Sequence, residues 1–226
     1  MHDRSLYSSK LEDGDFLSLV WNWMTLMANR KGLKRRSVNT RRLVLRPYRL
    51  DDHKTWFDAY VKRLPKQSKY DRDPVPANMC SRREFSKLVR RHEVLAAQDR
   101  TYIYGIFERK TGVLVGAIDI HILVREDRQT ANFGYQIHNR YWQKGFGKEA
   151  AKAGLKIAFS QLKLNRLEAA IYIENKPSIR LAKSIGMRRA GVEKAYLFEN
   201  GAWVDQIVYI AIPQDIGLKA APPKVL

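Results

Sequence analysis

Residues 132–148 read Asn-Phe-Gly-Tyr-Gln-Ile-His-Asn-Arg-Tyr-Trp-Gln-Lys-Gly-Phe-Gly-Lys, and this stretch decides the fold. Its first half continues a strand pattern over Ala131–His138, and a helical period begins at about Gly145 and runs to Leu162. Glycines at such a strand-to-helix junction let the backbone approach a ligand closely, and the free amides and dipole of the first helical turn suit a phosphate. Lys144 and Lys148 stand where the dipole disfavours a cation, a cost that a bound anion would offset. An equally simple reading is a solvated stripe, because Lys144, Lys148, Lys152 and Lys156 share one helix face. Two better-known phosphate loops are tested by position. A Walker loop needs a glycine where Trp142 stands and a Ser or Thr where Glu149 stands, so it fails. Gly145, Gly147 and Ala150 formally match a dinucleotide fingerprint, but that motif belongs to a parallel βαβ unit, and the strands upstream do not form one.

Working outward, the upstream strands are Tyr102–Glu108, Val113–Ile120 and Ala131–His138, an antiparallel meander with a turn at Lys110–Gly112. A further strand starts at Leu43. After it, Asp51 is expected to cap a helix carrying Trp56, Phe57, Tyr60, Val61 and Leu64. Pro65 to Cys80 reads as a loop, and Ser81 with Glu84 reads as the capping box of a second helix with Phe85, Leu88, Val89, His92 and Leu95 as its buried stripe. Downstream, Leu167, Ala169, Ile171 and Ile173 alternate as a half-buried strand, a short helix after Pro177 stops at Gly186, and two strands flank the turn Glu199–Gly201. The predicted class is α/β (α+β), a mixed and mostly antiparallel sheet of about six to seven strands with helices on both faces. The expected divisions are 1–40, an apolar helix and basic linker; 41–213, the main domain; and 214–226, a loose tail.

The chain has 226 residues, 45% of them hydrophobic and 11% aromatic, enough to bury a core and to exclude wholesale disorder. Forty-two basic residues against 23 acidic ones give a formal +19 and favour anionic partners. On charge alone polyamines, aminoglycosides and basic peptide tails are poor substrates. A single cysteine, Cys80, makes no internal disulfide and no zinc cluster, and the histidines show no metal spacing, so no metal and a cytoplasmic location are expected. The apolar run Phe16–Met27 is short for a transmembrane span, and the acids Glu12, Asp13 and Asp15 spoil it as a signal peptide. Its apolar residues spread round a helix, which favours packing on the domain or a partner subunit over lying in a membrane surface.

Three segments in order carry a resemblance to a family. Asn132–His138 resembles the central strand of the GNAT superfamily of acyl-CoA-dependent N-acetyltransferases; Trp142–Gly147 is similar to its Gln/Arg-x-x-Gly-x-Gly/Ala loop; Asn175, Lys176, Pro177, Ser178 with Gly186 and Met187 resembles its Asn-x-x-Ser and Gly-Phe. The likeness runs from about Arg42 to Ile212 and is strongest to the ribosomal-protein N-terminal acetyltransferase branch. It implies acetyl-CoA as cosubstrate, with Gln136, Ile137 and His138 along the pantetheine arm, amides of Gln143, Lys144, Gly145, Phe146, Gly147 and Lys148 at the pyrophosphate, and Asn175 on the pantetheine. It implies direct attack of an amine on the thioester, with Ser178 hydrogen-bonded to the departing thiolate. Ser178 is open to a second reading as a helix cap.

Two departures matter. Ala182 stands where many related enzymes carry a tyrosine acid, and Asn132 where an acidic residue often starts the central strand. The general base is therefore unassigned among His121, Asp119 and Tyr196; a histidine pKa of about 6.5 suits the task, and a strand-end histidine is also a common surface group. The expected acceptor is an amine, on a ribosomal protein near RNA or on an acidic small molecule, and a homodimer is left open. The competing class is a non-catalytic RNA- or ribosome-binding protein, supported by the net charge and by the seven basic residues between Arg30 and Arg42.

Overall fold

The computed structural model describes residues 37–220 and 222–223, so the apolar run Phe16–Met27 and most of the basic run lie outside the described residues. Eight strands form one sheet: β1 (Val38–Asn39), β2 (Leu43–Arg46), β3 (Thr101–Glu108), β4 (Leu114–Val124), β5 (Thr130–Ile137), β6 (Arg166–Tyr172), β7 (Arg188–Glu199) and β8 (Ala202–Ala211). Their order is β1-β2-β3-β4-β5-β6-β8-β7, and every neighbouring pair is antiparallel except β5 with β6. The meander is as expected. The strand beyond the expected range is β1, only two residues long and seated in what composition reads as linker. It is held from afar: the Thr40 hydroxyl donates to Glu149 at 2.6 Å and the Arg42 amide to the same carboxylate at 2.7 Å.

Among the described residues four α-helices cover the sheet: α1 (His53–Val61), α2 (Arg82–Ala97), α3 (Phe146–Lys156) and α4 (Lys176–Ser184). Period-two alternation sorts the side chains into two cores. Tyr102, Tyr104 and Ile106 of β3, Ile118 and Ile120 of β4 and Phe133 of β5 join α3 and Ala182 of α4 in the larger one. Trp56, Tyr60, Phe85 and Val89 from α1 and α2 pack with Tyr48, Phe107 and Leu114 on the opposite face. Gly154 lets α3 lie close, since a Cβ there would stand 2.9 Å from both Ile118 and Phe133.

Local capping differs from expectation in two places. Asp51 does not cap α1: Asp52 stands at the N-cap without a side-chain bond to the helix, and its carboxylate instead accepts from the Arg49 amide at 2.7 Å and from the Arg46 guanidinium at 2.6 and 2.7 Å. At α2 only half the box forms. Ser81 accepts from the Glu84 amide at 3.2 Å, but the Glu84 carboxylate turns to Lys87 at 2.9 Å. The C-terminal stretch expected to be loose instead begins with a 3-10 turn at Pro213–Ile216. Asp215 closes it by accepting from the Ile212 amide at 3.0 Å, and Ile216 and Leu218 pack against the larger core.

Candidate active site

The β5–β6 ladder has three rungs, Thr130 with Arg166, Ala131 with Leu167 and Asn132 with Glu168. Beyond them the strands part. Phe133 to Ile137 stay paired with β4, while Ala169 to Tyr172 stay paired with β8. A wedge thus opens in the middle of the sheet, and the unpaired edge of β5 within it carries Gln136 and Ile137.

The loop leading to α3 begins where that edge ends. The Trp142 indole donates to the Ile137 carbonyl at 2.7 Å, tying the loop back to the strand. Gln143 (φ 59°) and Gly145 (φ 76°) both adopt left-handed backbone, which turns the chain sharply at the head of α3. Gly145 is the N-cap and supplies no side-chain acceptor, so the first amides of α3 at Phe146, Gly147 and Lys148 lack a cap. Beneath the loop, the Arg42 guanidinium donates to the Lys144 carbonyl at 2.8 Å and to Glu149 at 2.7 Å, and it lies 4.7 Å from the centre of the Phe146 ring. Burial alone would raise the Glu149 carboxyl, yet the Thr40 hydroxyl and the Arg42 amide and guanidinium hold it below the usual carboxylate range. Phe146 is buried in the core, so only its backbone can meet a ligand; Lys144 and Lys148 are exposed.

Asn175 caps α4, its side chain accepting from the Ser178 amide at 3.3 Å. The cap reading of Ser178 is thereby answered: Asn175 is the cap, and the Ser178 hydroxyl is left for another partner. That partner is Tyr135, whose hydroxyl lies 3.1 Å from Ser178 Oγ and 3.1 Å from the Ser178 carbonyl oxygen. Sequence reading passed over Tyr135, because the contact spans 43 residues and a tyrosine in a strand reads as core.

The remaining candidates lie elsewhere. Asp119 and His121 project from the face of β4 opposite Ile118 and Ile120, hence opposite Tyr135 and Ser178. His121 Nε2 stands 3.1 Å from Asp119 Oδ2, and its Nδ1 stands 3.1 Å from Thr101 Oγ1. Gly134 makes room for Asp119: a Cβ at 134 would fall 2.3 Å from the carboxylate. Tyr196 is half-exposed on β7. Cys80 is buried and burial pushes its thiol up, which removes it as a nucleophile. Among the described residues no three His, Cys, Asp or Glu side chains converge as metal ligands do, and no helix is long and apolar enough to cross a membrane.

His138 is the least accessible candidate, 2% exposed and edge-on to Tyr60 at 5.0 Å. Burial, with the nearby Arg63 guanidinium, pushes its pKa down to about 3. It belongs to a buried cluster that sequence reading also missed. Arg63 donates to Asp71 at 2.6 Å; the Asn139 amide donates to Asp71 at 2.8 Å and to the Leu64 carbonyl at 2.9 Å. This cluster pins residues 63–72 beside the C-terminal end of β5. The same segment reaches the mouth of the wedge through Tyr70, whose ring lies 5.2 Å from that of Tyr172.

Known proteins resemble the chain in sequence and in fold. Residues 42–188 match the family described as Acetyltransferase (GNAT) domain. The N-acetyltransferase YoaA of Bacillus subtilis is 32% identical over 132 residues, 58% of this chain and 74% of that protein. The ribosomal protein uS5 alanine N-acetyltransferase of Escherichia coli is 25% identical over 111 residues, 49% of this chain and 57% of that one. Mycobacterium smegmatis RimJ, solved in complex with CoA-disulfide, has the same fold with a TM-score of 0.65 at 22% identity, over 79% of this chain and 85% of that one. Since the family match runs from Arg42 at the foot of β2 through the wedge, the α3 loop and α4 to the start of β7, the chain belongs to the GNAT family of N-acetyltransferases.

Proposed function

We propose that the wedge takes acetyl-CoA and that the acetyl group passes by direct attack to an amine, the N-terminus of a ribosomal protein. The observation that carries the donor is the uncapped head of α3 behind a left-handed Gly145, a ready anion site at the end of an unpaired strand edge. The pyrophosphate would rest on the amides of Gln143 to Lys148, with Lys144 and Lys148 adding positive field. The pantetheine would run along Gln136 and Ile137, with Asn175 near its far end. His138 lines this path without a polar contact to offer, its ring being buried and its backbone amide and carbonyl already bonded to Val115 and Tyr141.

The two faces of the sheet divide the chemistry. Ser178, at the head of α4, is placed to hydrogen-bond the departing thiolate, where the helix dipole also favours negative charge. Asp119 and His121 occupy the acceptor face and are the base assignment that the geometry supports. Asp119 Oδ2 holds the His121 ring through Nε2, so the nitrogen that would take the amine's proton is Nδ1, on the Thr101 side. The likeness to the uS5 alanine acetyltransferase supports a protein N-terminus as acceptor, and the +19 charge supports one presented beside RNA.

The test begins with binding. At a concentration a hundredfold above its Kd, acetyl-CoA should stabilise the protein by about 2.7 kcal/mol, read as a rise in melting temperature. Gly145→Val should abolish that rise, because a branched side chain at φ 76° is strained and its Cβ would stand 3.2 Å from the Arg42 guanidinium under the loop. Full protection of the variant would remove the loop from the site, and absence of protection in the wild type would favour a binding protein without turnover. In activity, Ser178→Ala should lower kcat by about 10-fold to 1000-fold with little change in acetyl-CoA affinity. An unchanged kcat would strip Ser178 of its role.

A further inference from the structure

No side chain on α4 can replace the missing tyrosine, since Ala182 stands at its place and is fully buried. A phenol nevertheless reaches Ser178, from the strand instead of the helix. Tyr135 on β5 points to the α3–α4 face, packs edge-on against Phe133 at 5.7 Å, and presents its hydroxyl to two atoms of Ser178, Oγ and the carbonyl oxygen, each at 3.1 Å. The geometry points to Tyr135 as a positioning residue for the leaving-group step: its hydroxyl fixes Ser178 Oγ at the head of α4 so that the serine hydrogen is available to the CoA sulfur. This inference rests on the acetyl-CoA reading above and deepens it.

The donors and acceptors admit a clear division of labour. A carbonyl oxygen only accepts, so the one phenolic hydrogen has a partner in the Ser178 carbonyl that leaves the serine hydrogen free. At rest that hydrogen can point back to the Tyr135 oxygen; when thiolate forms, it turns to sulfur and the phenolic hydrogen swings from the carbonyl to Ser178 Oγ, which lies at the same 3.1 Å, so the serine oxygen stays held. Burial pushes the Tyr135 hydroxyl up, and the Ser178 hydrogen bond only partly offsets this, so the phenol stays neutral. Tyr135 is therefore a fixed donor and not the acid. In the transfer itself the amine nitrogen bonds to the thioester carbon, the carbon–sulfur bond breaks, and its electron pair stays on sulfur. The proton lost by the amine passes to the Asp119–His121 side and returns to the thiolate through solvent. Neither Ser178 nor Tyr135 changes its protonation. Without the phenol, the serine side chain would be free to populate its other staggered rotamers, and fewer molecules would present the hydrogen to sulfur.

The test reads the thiol directly and needs no acceptor. The full chain is saturated with CoA, and ionisation of the bound thiol is followed by thiolate absorbance against CoA-free protein as pH rises. Ser178→Ala should raise the pH of ionisation by about 1 to 2 units, the worth of one hydrogen bond to a charged group. Tyr135→Phe, which keeps the ring, should raise it by at least half as much, and the double variant should go no higher than Ser178→Ala alone, because Tyr135 acts through Ser178. A Tyr135→Phe protein that titrates like the wild type, even one that melts earlier, overturns the positioning role and leaves a packing one. Additive shifts overturn it too, by showing that Tyr135 acts on the sulfur independently. If Ser178→Ala binds CoA with no shift, both roles fall while CoA binding stands; if the wild type does not bind CoA, the proposed function itself falls.

Discussion

Acidification below about pH 6.5 is expected to unfold this protein progressively, with His138 as the largest single cause. An exposed histidine in the unfolded chain takes up a proton near pH 6.5, whereas buried His138 resists it until about pH 3. Between those values the unfolded state binds one more proton than the folded state, so stability falls as pH falls, by about 1.4 kcal/mol per pH unit and by about 4–5 kcal/mol across the window. That is comparable with the whole stability of a marginal domain. Asp71 adds to the loss only lower down. Its carboxyl is held below the usual carboxylate range, so its contribution is present above about pH 3.9 and disappears as pH falls through the folded value. Urea unfolding at a series of pH values between 7 and 5 measures the slope. His138→Gln should lower the stability at pH 7, having lost the edge contact with Tyr60, and should flatten the slope by about one proton, so that the variant and wild-type curves converge or cross as pH falls toward 5. The slope carries the test: an unchanged pH dependence in the variant would mean that His138 charges without unfolding the protein.

The parts of this fold that could be read in advance are those whose causes are local. The loop at Gln143 to Gly147 announces itself because glycines and a following helical period sit side by side in the chain, and the structure places the left-handed turn there. The meander is equally readable, since each strand pairs with its sequence neighbour. What escaped depends on partners far along the chain. β1 is two residues long and exists because Thr40 and Arg42 reach Glu149, more than a hundred residues away. The parting of β5 from β6 is a property of two ladders and not of either strand. Tyr135 looked like any alternating aromatic, and only the arrival of α4 turns its hydroxyl into a partner of Ser178. The lysines show the limit of a charge pattern: Lys148, Lys152 and Lys156 are exposed along α3, as a solvated stripe predicts, and nothing in that pattern distinguishes the first from the others. Only its position beside uncapped amides does.

Replacing Asp71 with alanine should cost about 3–5 kcal/mol, the usual price of leaving a buried charge without its counterion. Both side chains of the Arg63–Asp71 pair are 1% exposed, so water cannot take the place of the lost carboxylate. The damage spreads beyond the pair, because Asp71 also accepts from the amides of Gln67 and Arg72 and from the Asn139 side chain, and each of these loses its acceptor in the same stroke. Those contacts pin a proline-rich segment that would otherwise have few reasons to hold one shape, and through Tyr70 that segment reaches Tyr172 at the wedge and Glu174 at 3.0 Å. Urea denaturation gives the stability loss, and two companions locate its cause. Arg63→Met with Asp71→Leu should recover the part due to the unpaired Arg63 charge, since an apolar pair carries no charge to desolvate, but not the part due to the Gln67 and Arg72 amides and the Asn139 side chain, which stay without their acceptor. The double variant should still bind acetyl-CoA, because the α3 loop is held by Arg42 and Trp142. A loss under about 1 kcal/mol in Asp71→Ala would place the pair with surface ion pairs and leave the segment anchored by its other contacts, those of Asn139 and Tyr70 among them.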